Sequence, residues 1–112
     1  MSLFAHLVLL QFQRPGCELL WPVAILLLDP ATDKLNVRGR DDYAGIAFAD
    51  DTLVLTETVK QLRADADSQN GNAILELLES TLSNSLRVTE RITMRTSDIG
   101  LTLDHLSSAF LL

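Results

Sequence analysis

Leu19-Leu20-Trp21-Pro22-Val23-Ala24-Ile25-Leu26-Leu27-Leu28 is the longest uninterrupted apolar run in the chain, and its reading decides the fold. A membrane-crossing helix needs roughly 20 such residues, about twice the length of this run. A short apolar run bounded by turn residues is instead a strand covered on both faces. Pro22 has no N–H to give to a ladder, so it belongs at a bulge or on an unpaired edge.

The flanks support a strand. Upstream, Leu3 to Gln13 places Phe4, His6, Val8, Leu10 and Phe12 on one parity and Leu3, Ala5, Leu7 and Leu9 on the other. Both parities are mainly apolar, which again describes a central strand covered on both sides. Between the two runs lies Arg14-Pro15-Gly16-Cys17, where Pro presets φ and Gly tolerates its positive values. Downstream, Asp29-Pro30-Ala31-Thr32-Asp33-Lys34 is a second turn. Leu35 to Arg40 follows as a shorter amphipathic strand, with Leu35 and Val37 on one face and Asn36, Arg38 and Arg40 on the other. Three strands joined by two tight turns predict an antiparallel meander.

The second half of the chain changes period. Asp41 to Asp51 reads as a loop with acidic pairs at both ends and an apolar middle, Tyr43 to Phe48, expected to pack back on the sheet. Leu55, Val59, Leu62 and Ala66 recur at helical spacing and predict a helix from about Thr52 to Ala66, capped by Asp51 or Thr52. A second helix is expected over about Asn72 to Ser83, on the stripe Ile74, Leu75, Leu78 and Leu82. The two together read as a helical hairpin. Leu86 to Thr96 alternates as a strand, except at Glu90. Ile99, Leu103, Leu106 and Phe110 fit a C-terminal helix, although Ile99 to Leu103 also suits a short strand ahead of a helix starting near Asp104. The expected class is α+β: a mainly antiparallel sheet in β-β-β-α-α-β-α order, with helices packed on one face, over a single domain of residues 1–112.

Bulk composition bounds function. The chain of 112 residues is 47% apolar with a mean hydropathy of +0.20, which is much to bury in one small copy. A homo-oligomer, most simply a dimer, is therefore expected. Trp21 and the chain end at Phe110 and Leu111 are the candidate interface residues, because aromatic anchors are enriched at interfaces. The net charge of −6 and pI of about 4.6 repel a phosphate backbone and argue against binding duplex nucleic acid. Cys17 is the single cysteine, so no disulfide framework forms within the chain. No basic segment precedes the apolar N-terminus, as a signal peptide would require. These readings together predict a cytoplasmic domain with no membrane association.

Several side chains are candidates for chemistry. Arg87, Arg91 and Arg95 share the polar parity of the last strand, and Arg38 and Arg40 would join them if the third and last strands lay close together. Guanidinium forks match carboxylate and phosphate, so this group predicts a small anionic ligand or an acidic partner. Asp41, Asp42, Asp50 and Asp51 carry hard oxygen ligands but lack the spacing of a calcium loop, so no metal is expected. Asp104, His105, Ser107 and Ser108 have the residue types of a nucleophilic triad, but helical spacing spreads them around the axis. His6 lies in an apolar strand, and Cys17 lacks a CxxC partner. The five glycines build no Walker or dinucleotide loop, and aromatic residues are only 5% of the chain, too few for a base-stacking platform. No cofactor and no catalytic residue is assigned. The leading expectation is a non-enzymatic interaction module that self-associates. The alternative is an anion-binding or regulatory domain using the arginine-bearing strand.

Overall fold

The computed structural model describes residues 3–13, 16, 18–40, 43, 49–68, 70–80 and 86–111. Its elements are β1 (Leu3–Gln13), β2 (Leu20–Asp29), β3 (Lys34–Gly39), α1 (Ala49–Ser68), α2 (Gly71–Ser80), β4 (Leu86–Val88), β5 (Ile92–Thr96) and α3 (Ile99–Phe110). The five strands form one antiparallel sheet, so the α+β class and the element order are as expected. The order across the sheet is β3-β2-β1, with β4 and β5 sharing the far side of β1. Among the described residues, no helix is long and apolar enough to cross a membrane.

The apolar run forms the interior of the sheet. Val23, Ala24, Ile25, Leu26, Leu27 and Leu28 are all 2% exposed or less. Alternate side chains of a strand point to opposite faces, so burial of consecutive residues requires cover on both. On one face, Leu26 and Leu28 join Val8, Leu10 and Phe12 under Leu55, Val59 and Leu62 of α1 and Ile74 and Leu75 of α2. On the other, Ile25 and Leu27 join Ala5 and Leu7 under Leu103 and Leu111. The sheet is thus a middle layer, with α1 and α2 on one face and α3 on the other. The expectation that all helices share one face fails for α3. The odd residues of β1 and β2 would otherwise lie bare, at about 1.5–3 kcal/mol for each large side chain left in water.

Two bulges shape the central strand's ladders. Leu10 pairs with Ala24 and Gln11 with Pro22, which leaves Val23 as the extra residue. Pro22 therefore sits beside a bulge, where its missing donor interrupts nothing. The second bulge divides the last strand. Leu10 faces Val88 and Leu7 faces Ile92, so Val8 and Leu9 oppose Thr89, Glu90 and Arg91. Thr89 closes the gap: its N–H donates to Leu9 O at 3.0 Å, and its Oγ1 accepts from Leu9 N at 2.9 Å. The extra residue reverses the parity. Leu86 and Val88 pack toward α1 and α2, whereas Met94 packs with the α3 cluster.

Two helix starts, those of α3 and α2, are fixed by aspartates. Asp98 precedes α3, and its Oδ1 accepts from Leu101 N at 3.1 Å. This N-cap settles the ambiguous tail as one helix beginning at Ile99. Helix α2 is capped by a distant residue. Asp33, in the β2–β3 turn at φ 55°, accepts from Gly71 N through its carbonyl and from Asn72 N through its carboxylate, both at 2.8 Å. The contact leaves no room at Gly71. A Cβ there would lie 2.6 Å from Leu28 Cδ1, 2.8 Å from Leu35 N and 2.9 Å from Asp33 O. We therefore expect Gly71→Ala to lower stability by about 1–3 kcal/mol despite alanine's better helix propensity, because two of the three obstructing atoms are backbone. Urea unfolding would show it as a lower midpoint, and an unchanged midpoint would mean that α2 shifts freely.

Candidate functional site

The arginines expected to gather do not do so. Strands β3 and β4/β5 lie on opposite edges with β2 and β1 between them. Three strand spacings separate them, about 14 Å. The bulge also divides Arg87, Arg91 and Arg95. Arg87 pairs opposite Gln11 and Arg95 opposite Phe4, residues of opposite parity. Arg95 lies 5.1 Å from the Phe4 ring centroid. Arg91, in the bulge, reaches α2. It donates to Asn72 Oδ1 at 2.7 Å and to both carboxylate oxygens of Glu79 at 3.0 and 3.3 Å. It is a clamp between the edge strand and a helix.

A different set of cations does converge. Arg40, Tyr43, Thr52, Thr56, Lys60 and Arg63 line a cleft of about 390 Å³ where the end of β3 meets α1, with Val59 adding an apolar wall. Thr52, Thr56, Lys60 and Arg63 follow at intervals of four, four and three residues, so they share one flank of the helix. The buried stripe Leu55, Val59 and Leu62 turns that flank toward the sheet edge. Gly39 permits the approach, since a Cβ there would lie 2.6 Å from Val59 Cγ1. Tyr43 is 5% exposed and belongs to the same core.

Arg40 is held in place by backbone. Its own N–H donates to Val23 O at 3.0 Å, its Nε to Pro22 O at 2.6 Å and its Nη2 to Phe110 O at 3.4 Å. These partners are neutral carbonyls, so they orient the guanidinium without cancelling its charge. Among the described residues no carboxylate lines the cleft, and neither Lys60 nor Arg63 has an ion-pair partner. A second cleft of about 280 Å³ adjoins it through Arg63 and includes Lys34, Arg38 and Asp67. Arg38 there is paired with Asp104 of α3 at 2.8 Å, an exposed pair of small energetic weight. Lys34, Arg38, Arg40, Lys60 and Arg63, five of the nine basic residues, therefore border one edge of an acidic molecule.

The other sequence candidates are placed as follows. Asp41, Asp42 and Cys17 lie outside the described residues, while Asp50 and Asp51 fall in the first turn of α1. Among the described residues no three His, Cys, Asp or Glu side chains gather as a metal site would require. His6 Nδ1 lies 3.2 Å from Thr93 Oγ1. His105 is exposed on α3 beside an Asp104 already engaged by Arg38. Trp21 packs against the α1/α2 core, and Leu111 is buried under the other face. Phe110 remains 38% exposed. No protein-family model, curated protein or solved structure matches this chain.

The α1 signal was present in the sequence as the Thr52-Thr56-Lys60-Arg63 spacing, on the helix flank next to the apolar stripe. The two kinds of arginine separate under mutation. Arg91→Ala is expected to cost about 1 kcal/mol, since it breaks a bidentate, partly exposed pair and strips a partner from Asn72. Lys60→Gln and Arg63→Gln are expected to change stability by less than about 0.5 kcal/mol, as solvated groups do. Parallel denaturant titrations check this; a loss at Lys60 or Arg63 equal to that at Arg91 would mean they hold the fold together.

Proposed function

We propose that this protein is a non-enzymatic binding or regulatory module for a small anion, and that its site is the cleft between the end of β3 and α1. The observation that carries the reading is the convergence of Arg40, Lys60 and Arg63 on one concave surface that no described carboxylate lines, in a chain of net charge −6. An anion in a cleft lined by cations gains Coulomb attraction from each of them. Guanidinium forks and threonine hydroxyls supply directional donors, and the ammonium of Lys60 supplies a point charge.

Thermal unfolding with millimolar phosphate, sulfate and citrate tests the reading. A ligand present at a hundred times its Kd stabilises by about 2.7 kcal/mol, which is a readily measured shift in a domain of this size. The shift is expected to vanish in the double variant Lys60→Gln/Arg63→Gln and to persist in Arg87→Gln. No stabilisation by any anion would sink the proposal.

A second reading, self-association, has its own observation. One guanidinium, Arg40, reaches the carbonyls of both Pro22 and Phe110, so the start of β2 and the end of α3 meet. Leu19, Leu20 and Phe110 there are 60%, 39% and 38% exposed. These three, beside Trp21, are the surface through which a second copy would pack. Sedimentation velocity across a concentration series is expected to show a dimer that Leu20→Asp weakens at least about tenfold, since burying an unpaired carboxylate in an interface costs several kcal/mol. A strict monomer at high micromolar concentration would rule the dimer out.

A further inference from the structure

We infer that the ligand of the β3–α1 cleft is a phosphate monoester of a small molecule of mononucleotide size; this rests on the anion-binding reading above and narrows it. Size is the first argument. A cleft of about 390 Å³ lies within the range of about 300–1,000 Å³ found for small-molecule sites, and a bare oxyanion would leave most of it unfilled. Charge is the second. Lys60 and Arg63 bring two positive charges to one flank of α1, with Arg40 in the same lining. A monocarboxylate answers only one of them, and a dicarboxylate spreads its two charges over two centres. A phosphate monoester concentrates nearly two charges and three acceptor oxygens on a single phosphorus.

The lining also divides by polarity. The cations and Thr56 form the polar part, while the buried Val59 and Tyr43 form an apolar inner wall. That wall suits the uncharged body of an ester and has no use for inorganic phosphate. The surroundings limit length. Asp67, four residues beyond Arg63, lines the adjoining cleft, so a long polyanion extending that way meets a carboxylate. The cleft accepts one compact phosphate and rejects a chain of them.

Isothermal titration of the full chain with inorganic phosphate, succinate, ribose 5-phosphate, adenosine 5′-monophosphate and adenosine tests the assignment. At least one of the two esters is expected to bind about tenfold or more tighter than phosphate and succinate, and adenosine alone is expected not to bind. Lys60→Gln and Arg63→Gln should each weaken the ester about tenfold, with Arg87→Gln unchanged. Phosphate or succinate binding as tightly as both esters would overturn the ester assignment and leave the anion site standing. Ester binding undiminished in the Lys60→Gln/Arg63→Gln double variant would place the ester elsewhere and overturn it too. No binding by any of the anions would overturn this inference and the anion reading together.

Discussion

Burial of β1 and β2 on both faces is the constraint from which the architecture follows. Six consecutive residues, Val23 to Leu28, are shielded almost completely, four of them in the cluster under α1 and α2 and two in the cluster under α3. A sheet with one wet face cannot shield them. The chain meets the demand with two helices over the even residues of β1 and a third over the odd ones, and it places its amphipathic strands, β3 and β4/β5, at the edges. Much of the apolar excess in the composition is consumed there. What remains exposed includes Phe4, Leu53, Val54, Leu77, Ile92 and Leu101, besides the residues where the start of β2 meets the end of α3.

The seam between β3 and the helices positions the cleft. Two glycines let helices approach the strand closely: Gly39 admits Val59 of α1, and Gly71 brings the first turn of α2 against Leu28 and Leu35. Asp33 then fastens α2 by its backbone carbonyl and its carboxylate. With α1 held this near the sheet edge, its polar flank and Arg40 line one cleft. The cleft is therefore a by-product of core packing, and its cations stay in place because one is anchored to carbonyls and two project from a rigid helix.

The sequence was most legible where a single period ruled. β1, β2 and α1 follow from their alternation or helical spacing, and Pro22 sits beside a bulge, one of the two places open to it. The cover on both faces was also readable from the odd-parity residues Ala5, Leu7 and Leu9, but strands followed by helices suggested a two-layer arrangement, and α3 was misplaced. Glu90 marked the break in the last strand without showing that the backbone would absorb it as an extra residue, which sends Arg87 and Arg95 to opposite faces. Sheet order is not written in any local pattern. Arg38 and Arg40 therefore lie across the sheet from the arginines of the last strand and share clefts with basic residues of α1. Residue types name candidate side chains, and topology decides which of them share a cleft.

The bulge at Thr89 to Arg91 also bears on the fate of the chain in crowded conditions. A long, flat, apolar edge strand is a template for cross-β growth. Here one edge is cut into pieces of three and five residues by the bulge, and the other is a six-residue strand bearing Lys34 and Arg38. Neither offers an incoming strand a straight, uncharged row of donors and acceptors. In a chain that is 47% apolar, both described edges thus carry features that disfavour strand addition.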